Sequence, residues 1–534
     1  MGKHILFAII ASVALAACGS NSKQNPTNSG HKQSENIEAG FFLSGEPAKR
    51  TEQITSLVSG ELDDFSDPSQ RNLLDRVNTL SKAPFKNNAI KNIVVVGAGP
   101  AGLMQSLLAF EQGYNVHILE KRQNFERDHI FQIDEKDFNQ NIRKYLSQNT
   151  YSKLIELGVL QTDSVKGFDS EGRLVVEKPI VTVATRDLEN ILYGVVKAQE
   201  RLANGKITIT KGATVDPKAI DGEKRLLAAD IVKNVDGEEL NSRLVVNADA
   251  VVVATGAGGG SKPYLQEFGV ERIQEFDSKQ IRPIGVLVEV KYPAGTLTPD
   301  FLDRLNADLA KNFPVENTLN FLRLDKQGKL QINIQLTDTQ YERWYGELLN
   351  NGGTLDWRNH ASKIGDQSKS FFSDILAKSG KSIELDWLKS QTVNTWVADQ
   401  PISRVNKPAV LVDGSLLVAF SGDSQANNWF LRGDGNPREH RMASIILDEI
   451  GKGGKPSAIV QGIESRSLSY IDTNNLQILD SRVYGRSLVG AELPDNVVPF
   501  DPRRTPSNID VQTKPVVKPK VAIPDVPKTR VRFK

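Results

Sequence analysis

The chain of 534 residues contains one cysteine and six histidines. One cysteine excludes an internal disulfide, and so few scattered histidines exclude a Cys/His metal cluster, so no metal site is expected. Lysine and arginine (66) balance aspartate and glutamate (65), which leaves a net charge of +1. The chain therefore has no large positive net charge that would indicate a nucleic-acid partner. The sequence also lacks a phosphate loop with its lysine and the Ser-His-Asp order of hydrolases, so its chemistry depends on another pattern.

The N-terminal apolar run, residues 5–17, is too short to span a bilayer as a mature helix. It ends in Leu15-Ala16-Ala17-Cys18-Gly19, which resembles the lipobox of bacterial lipoproteins. The resemblance implies a signal peptide removed before Cys18, lipidation of its sulfur (with palmitate among the acyl chains) and a membrane anchor in the cell envelope. Gly19 in place of the Asp of inner-membrane retention favours the outer membrane, facing the periplasm or the surface. The alternatives are an ordinary signal peptide and a buried cysteine.

Residues 92–122 carry the strongest pattern in the chain. The all-apolar run at 93–96 is typical of a parallel strand buried on both faces. A helix is predicted over 103–112 and ends at Gly113, and a second apolar strand is predicted over 116–119. Strand, helix and strand in this order predict the first βαβ unit of an α/β fold.

Three glycines and one acid give this unit its chemistry. Gly97 permits the tight turn, Gly99 lets the backbone approach a pyrophosphate, and Gly102 lets the helix pack on the strand. A pyrophosphate would bind at the helix N-terminus, where free N–H groups and the helix dipole favour an anion. Glu120, at the end of the second strand, would accept hydrogen bonds from the adenosine ribose. The pattern favours a dinucleotide site over an ordinary glycine-rich turn, and the candidate residues within that turn also include Ala98, Pro100 and Ala101.

Two later strands end in turns that resemble the second and third fingerprints of two-domain FAD enzymes. The strand predicted at 248–254 ends in Thr255-Gly256, and the strand at 416–420 ends in Gly422-Asp423. The glycines that follow Thr255 suit a strand exit better than a second phosphate loop, because no strand and acid come after them. Asp423 alone could be a helix cap or turn residue. Three fingerprints in this order favour FAD over NAD as the tightly bound cofactor.

The layout resembles the class A flavin monooxygenases of the para-hydroxybenzoate hydroxylase type, and within them it is most similar to the MICAL flavin domain, which oxidises actin methionines. The similarity covers about residues 70–455. The segments that carry it are the helical region Asn72 to Leu80, the run Glu120 to Arg127 (EKRQNFER), Arg186-Asp187-Leu188, and Gly422-Asp423-Ser424 with Gly433 and Gly435.

This resemblance implies an α/β fold in which an FAD-binding Rossmann-like domain of the glutathione-reductase type carries an inserted, smaller α+β substrate domain. It also implies that Glu120 binds ribose, that Arg122 and Arg127 lie near the phosphates, and that Arg186 and Asp423 hold the cofactor. The segment before the last helix would direct backbone N–H groups toward the flavin pyrimidine edge. The remaining residues assigned to the cofactor are Lys121, Thr255, Gly256, Gly433, Gly435 and Asn436.

The chain departs from the family near the reacting centre. Asp128 and His129 stand where the family has Asn residues, and Thr255-Gly256 stands where class A hydroxylases carry an Asp-Gly pair. Trp429 or Phe430 is the counterpart of an aromatic that lies against the flavin in the family. His129 could be a proton shuttle, because its unperturbed pKa is near neutrality, or a surface histidine. The residues predicted to line the flavin are His129, Trp429, Phe430 and Arg432.

The predicted organisation has seven parts. They are a signal peptide (1–17), a flexible polar tether (18–61), the first part of the FAD domain with preceding helices (62–280), a substrate-side α+β domain (281–395), the return of the FAD domain (396–455), an extension (456–498) and a proline-rich basic tail (499–534).

The leading functional hypothesis is a membrane-anchored FAD-dependent monooxygenase. By resemblance, NADPH or NADH binds transiently and reduces the flavin, oxygen adds at C4a as a hydroperoxide, and a small molecule or a protein side chain is oxygenated. NADPH is scarce outside the inner membrane, which leaves open a dehydrogenase or oxidase with another donor. A non-catalytic surface lipoprotein that keeps the fold is the third hypothesis, and it predicts no bound flavin.

Overall fold

The computed structural model describes residues 43–44, 46–60, 75, 77, 79, 82, 89–127, 130–168, 174–235, 238–256, 260–274, 284–291, 319–324, 329–335, 355–356, 393–399, 403–427 and 435–483. From 284 to 399 the description is of the backbone.

The strands within these ranges are numbered in chain order. They are β1 Asn92–Val96, β2 Asn115–Glu120, β3 Ile130–Asp134, β4 Leu160–Phe168, β5 Leu174–Ala184, β6 Ile207–Lys211, β7 Ala213–Asp221, β8 Leu226–Val235, β9 Glu238–Asn247, β10 Ala250–Val253, β11 Arg272–Gln274, β12 Ile284–Lys291, β13 Leu319–Leu324, β14 Lys329–Gln335, β15 Leu355–Asp356, β16 Val393–Asp399, β17 Ser403–Val405, β18 Ala409–Val412, β19 Leu416–Phe420 and β20 Ala426–Asn427.

The helices are numbered in the same way. They are α1 Pro47–Gly60, α2 Pro100–Glu111, α3 Glu135–Asn141, α4 Gln148–Glu156, α5 Thr185–Leu202, α6 Lys262–Glu267, α7 Gly435–Lys452 and α8 Pro456–Val483, with 3₁₀ turns at Arg143–Tyr145 and Gly422–Ser424. In the part of the chain that the structure describes, no helix combines the length and apolar character that crossing a membrane requires.

The central sheet fixes the fold class. Its strands lie in the order β18-β19-β10-β1-β2-β6, and all neighbours are parallel except the edge pair β18 and β19. Counted along the chain, the parallel strands have the order 3-2-1-4-5 of doubly wound dinucleotide-binding sheets. The order reverses between β1 and β10. In open parallel sheets a ligand binds outside the carboxyl ends of the strands at such a switch point.

The apolar strands at the centre are buried because both faces of the sheet are covered. Ile93 and Val95 pack in one core with side chains of the helices α1, α2, α5 and α7. Val94 and Val96 point the other way, into a core shared with the antiparallel sheet β7-β8-β9. The result is a layered α/β domain, as the sequence predicts.

The polar N-terminal segment differs from the prediction. The sequence predicts a solvated tether up to residue 61, whereas 47–60 form α1, which packs along α5. Ile54 and Val58 are buried at helical spacing, and Gly194 on α5 lets α1 approach so closely that an added Cβ would lie 2.8 Å from the Cβ of Val58. Three large apolar side chains, those of Ile54, Leu57 and Val58, among many polar residues are too weak a pattern to predict this helix.

The middle of the chain forms a separate antiparallel sheet, β13-β14-β12-β16-β15. These strands fall within 284–399, close to the range predicted for the substrate-side domain. The helices predicted between them lie outside the described residues, so the inserted α+β domain stays a prediction. The tail at 499–534 and Cys18 also lie outside the described residues.

Candidate dinucleotide site

The turn between β1 and α2 can be built only with glycine at two positions. Gly97 has φ +105°, and a Cβ there would lie 2.5 Å from the carbonyl oxygen of Ala254 on the neighbouring strand exit. A Cβ on Gly102 would lie 1.9 Å from the carbonyl oxygen of Gly97. The first glycine therefore permits the backbone conformation and the last permits the contact between helix and strand.

Gly99 has a different reason to be glycine. A Cβ on Gly99 would reach nothing closer than 3.9 Å, the distance to both Arg127 Nη2 and Glu189 Oε1. Gly99 is the N-cap residue of α2, and no side chain among the described residues caps this helix. The N–H groups that a helix leaves free in its first turn and the open space beside Gly99 form a cradle that suits a phosphate group.

Glu120 lies at the carboxyl end of β2 beside this turn, and only 4% of its surface is exposed. Ala98 N–H donates to Glu120 Oε2 at 2.6 Å, and the backbone N–H and Nε of Arg122 donate to Oε1 at 2.8 and 2.9 Å. Burial raises the pKa of Glu120, but the hydrogen bonds and the positive charge of Arg122 lower it by more. The pKa of Glu120 therefore lies below its usual range. Glu120 is therefore a carboxylate that fixes both the glycine turn and Arg122.

Arg122 connects Glu120 with a second buried acid. Its Nη2 donates to Glu189 Oε1 on α5 at 3.1 Å, and Arg127 Nη2 lies 4.0 Å from the same oxygen. The loop that carries both arginines is joined to α5 by a hydrogen bond from Arg186 N–H to the Arg127 carbonyl, 2.8 Å. Two arginines thus converge on the space beside the phosphate cradle.

Lys211 ends β6 beside Glu120, its partner in the strand register. Its ammonium lies 4.7 Å from the ring centroid of Phe125 and 4.1 Å from that of Tyr193. Burial lowers the pKa of Lys211 to about 8, and Glu120 offsets part of this effect. This cation–π cluster therefore lies next to Glu120, at the carboxyl end of β2.

The third predicted fingerprint, at Gly422-Asp423, lies against the first, the Gly97–Gly102 turn. Gly422 has φ +59°, and a Cβ there would lie 2.6 Å from the Cβ of Ala101 and 3.6 Å from Glu439 Oε1 on α7. Ser421 Oγ donates to Gln105 Oε1 on α2 at 3.1 Å. The glycine turn, the Gly422–Ser424 turn and the start of α7 therefore lie together at the carboxyl edge of the sheet.

Two buried polar side chains near this edge have no hydrogen-bond partner within the described structure. They are the hydroxyl of Thr255, at the exit of β10, and the carboxamide of Gln425, directly after the Gly422–Ser424 turn. Buried polar groups normally have partners, so an unsatisfied group calls for a functional explanation or a missing water or ligand. Both observations fit a polar ligand beside these two turns.

The structure brings most of the residues assigned from the sequence to one edge of the sheet. Lys121 is exposed next to Arg122, Gly256 has φ +84° with open space around it, and Gly435 and Asn436 form the first turn of α7. The assigned residues outside the described ranges are His129, Trp429, Phe430, Arg432 and Gly433.

Three contributors to this edge are not predicted from the sequence. In the sequence, Glu189 and Lys211 resemble ordinary surface charges. The one local signal is that Glu189 follows Arg186 by three positions on the same predicted helix. Arg272 on β11 donates from Nη2 to the carbonyl oxygens of Asp423, at 3.2 Å, and Ser424, at 2.9 Å. It thereby fixes the Gly422–Ser424 turn. No local signal in the sequence indicates this role.

No protein-family model matches the sequence, and no curated protein matches it significantly. Among solved structures, tetrameric 2-methyl-3-hydroxypyridine-5-carboxylic acid oxygenase is similar at 13% identity and a TM-score of 0.44, over 74% of this chain and 91% of that chain. CtdE in complex with FAD and a substrate is similar at 13% identity and a TM-score of 0.47, over 75% and 94%. FqzB is similar at 16% identity and a TM-score of 0.43, over 71% and 79%. At such values the function of this chain has to be inferred from its own geometry.

Proposed function

We propose that the protein is an FAD-dependent oxidoreductase, and specifically a monooxygenase that takes electrons from NADPH or NADH. The observation that carries the FAD assignment is the convergence of the Gly97–Gly102 turn, Glu120 and the Gly422–Ser424 turn on the switch point of the parallel sheet. A dinucleotide lying along this edge would have its pyrophosphate at α2, its adenosine at Glu120 and its flavin half toward Asp423.

The residues present fit this cofactor. The uncapped N-terminus of α2 and the space beside Gly99 suit the pyrophosphate, with Arg122 and Arg127 as its cations. The four hydrogen bonds that Glu120 accepts occupy its oxygens, and two come from the Arg122 side chain. Ribose hydroxyls would take the places of those two, which releases Arg122 toward the phosphates.

Bound FAD would supply the redox chemistry, accepting a hydride and delivering an oxygen atom from O₂ to a substrate. The protein supplies position and electrostatics. Arg272 holds the turn that carries Asp423, and the backbone N–H groups at the start of α7 would face the bound flavin. The finer likeness to the MICAL flavin domain and the roles of His129, Trp429, Phe430 and Arg432 are part of the same proposal, supported by the sequence.

We further propose that Cys18 is lipidated and that the chain is anchored in the bacterial envelope, where it acts on a small molecule or a protein side chain. The anchor rests on the lipobox-like residues 15–19. Mass spectrometry of the protein purified from bacterial membranes after expression of the whole sequence tests it. The expected result is an N-terminal acylated Cys18, whereas an intact Met1 or an unmodified cleaved chain would contradict it.

The electron donor is tested by mixing the FAD-loaded full-length chain with NADPH or NADH without oxygen. Rapid loss of the oxidised-flavin absorption, followed by its return and oxygen consumption when air is admitted, is expected. A bound flavin that stays oxidised with both nucleotides would contradict the nicotinamide donor and favour a dehydrogenase or oxidase supplied by another envelope reductant.

Replacing Glu120 tests the adenosine end of the site. Glu120→Gln should raise the Kd for FAD by roughly 10- to 100-fold, because hydrogen bonds to a charged group contribute about 1.5–3 kcal/mol. Fluorescence titration with FAD measures this change. Glu200→Gln is the matched control, because Glu200 lies in the last turn of α5 and pairs with Lys197. Equal affinities in both variants would exclude Glu120 from the site.

A further inference from the structure

Glu189 is a buried acid beside the candidate site, and the proposed function gives it no task. It lies in the second turn of α5, its side chain is 0% exposed, and its Oε1 is 3.9 Å from the position that a Cβ on Gly99 would occupy. This position faces the cradle at the N-terminus of α2. A carboxylate there would repel a pyrophosphate.

Before a dinucleotide binds, two arginines compensate the charge of Glu189. Arg122 donates to it from Nη2 at 3.1 Å and from Nη1 at 3.5 Å, and Arg127 lies 4.0 Å away. These are also the cations expected to bind the phosphates. When they turn to the phosphates, Glu189 loses its partners and gains two nearby negative charges, which strongly disfavours a buried carboxylate.

We propose that Glu189 faces the pyrophosphate of the bound dinucleotide and takes up one proton from solvent as the dinucleotide binds, so that its carboxyl O–H donates to a phosphate oxygen. This inference rests on the proposed function. The proton converts a repelling carboxylate into a hydrogen-bond donor, and no other bond is made or broken.

The neighbouring charges support this direction. Burial already raises the pKa of Glu189 above its usual range, with Arg122 and Arg127 offsetting part of the effect and Glu120 adding to it. Lys211, with a pKa that burial lowers to about 8, is a second group in this cluster that can gain or lose a proton, and Arg186 lies one turn earlier on α5. Below pH 7 Lys211 is already protonated, so proton uptake there is assigned to Glu189.

The affinity for FAD should therefore fall as the pH rises. The bound state holds the proton to a higher pH than the empty state, so FAD binds more tightly at low pH. Its Kd should rise with pH, by at most about tenfold per pH unit, between the two pKa values of Glu189. Glu189→Gln, which is neutral and keeps the size of the side chain, should remove this slope.

The experiment is calorimetric titration of FAD into the full-length chain at pH 6.5, in two buffers with different ionisation enthalpies. The wild-type chain should take up a measurable fraction of one proton per FAD, Lys211→Met should retain this uptake, and Glu189→Gln should lose it. If the wild-type chain takes up no proton on binding FAD, the inference is overturned, and this result depends on no variant. Undiminished proton uptake in Glu189→Gln would also overturn it. If no FAD binds to any of the three proteins, the proposed function fails as well, and this outcome differs visibly from binding without proton uptake.

Discussion

Gly102→Ala should abolish measurable FAD binding and destabilise the domain. The new Cβ would lie 1.9 Å from the carbonyl oxygen of Gly97 and 3.3 Å from the Cβ of Ala254. Backbone cannot yield as a flexible side chain does, so the start of α2 must move away from β1. Overpacking of this kind costs about 1–3 kcal/mol. The displacement also opens the cradle that would hold the pyrophosphate, and we expect at least about a 100-fold loss of affinity, about 2.7 kcal/mol.

The measurements are the unfolding midpoint in urea and the FAD titration. Gly60→Ala is the matched control, because a Cβ at the end of α1 would have no atom within 4 Å. The control should bind FAD normally and unfold at the wild-type midpoint. Full FAD affinity in Gly102→Ala would show that the turn is not where the dinucleotide binds.

Arg50→Ala should lower the free energy of unfolding even more than Gly102→Ala does. Arg50 donates from Nε and Nη2 to the two carboxylate oxygens of Asp187, both at 2.7 Å, and their side chains are 6% and 4% exposed. Removing Arg50 leaves the buried Asp187 carboxylate with Arg186 alone, whose Nε lies 3.8 Å from Oδ1. Loss of one partner of a buried ion pair costs about 3–5 kcal/mol. The pair joins α1 to the first turn of α5, so the FAD affinity should fall as well, through Arg186 and Glu189.

The adjacent residue provides the control. Lys49 pairs with Glu46 at the surface, where the side chains are 68% and 55% exposed, and Lys49→Ala should leave the unfolding midpoint unchanged. The double variant Arg50→Met with Asp187→Leu removes both charges and should recover much of the stability that Arg50→Ala loses. Equal unfolding midpoints for Arg50→Ala and Lys49→Ala would mean that the ion pair between α1 and α5 does not stabilise the domain.

The βαβ unit can be predicted from the sequence because steric requirements leave few alternatives. A tight turn with φ > 0 at Gly97, a helix that touches the strand at Gly102 and an acid after the next strand are all local requirements. The strands of the central sheet are predictable for a similar reason, since continuous apolar runs suit a sheet covered on both faces.

Long-range partners cannot be predicted in this way. Arg50 and Asp187 are separated by 137 positions, and each alone has the character of a surface charge. Glu189 becomes a site residue only because the fold brings α5 beside Gly99. The roles of His129 and of residues 429–433 stay predictions, because these positions lie outside the described residues.

The most direct test of the central claim is reconstitution of the purified full-length chain with excess FAD, followed by gel filtration and visible absorption spectroscopy. We predict about one FAD per chain co-eluting with the wild-type protein, and none with folded Gly102→Ala. Elution of the wild-type chain free of flavin would contradict the account and favour a non-catalytic protein that retains the fold.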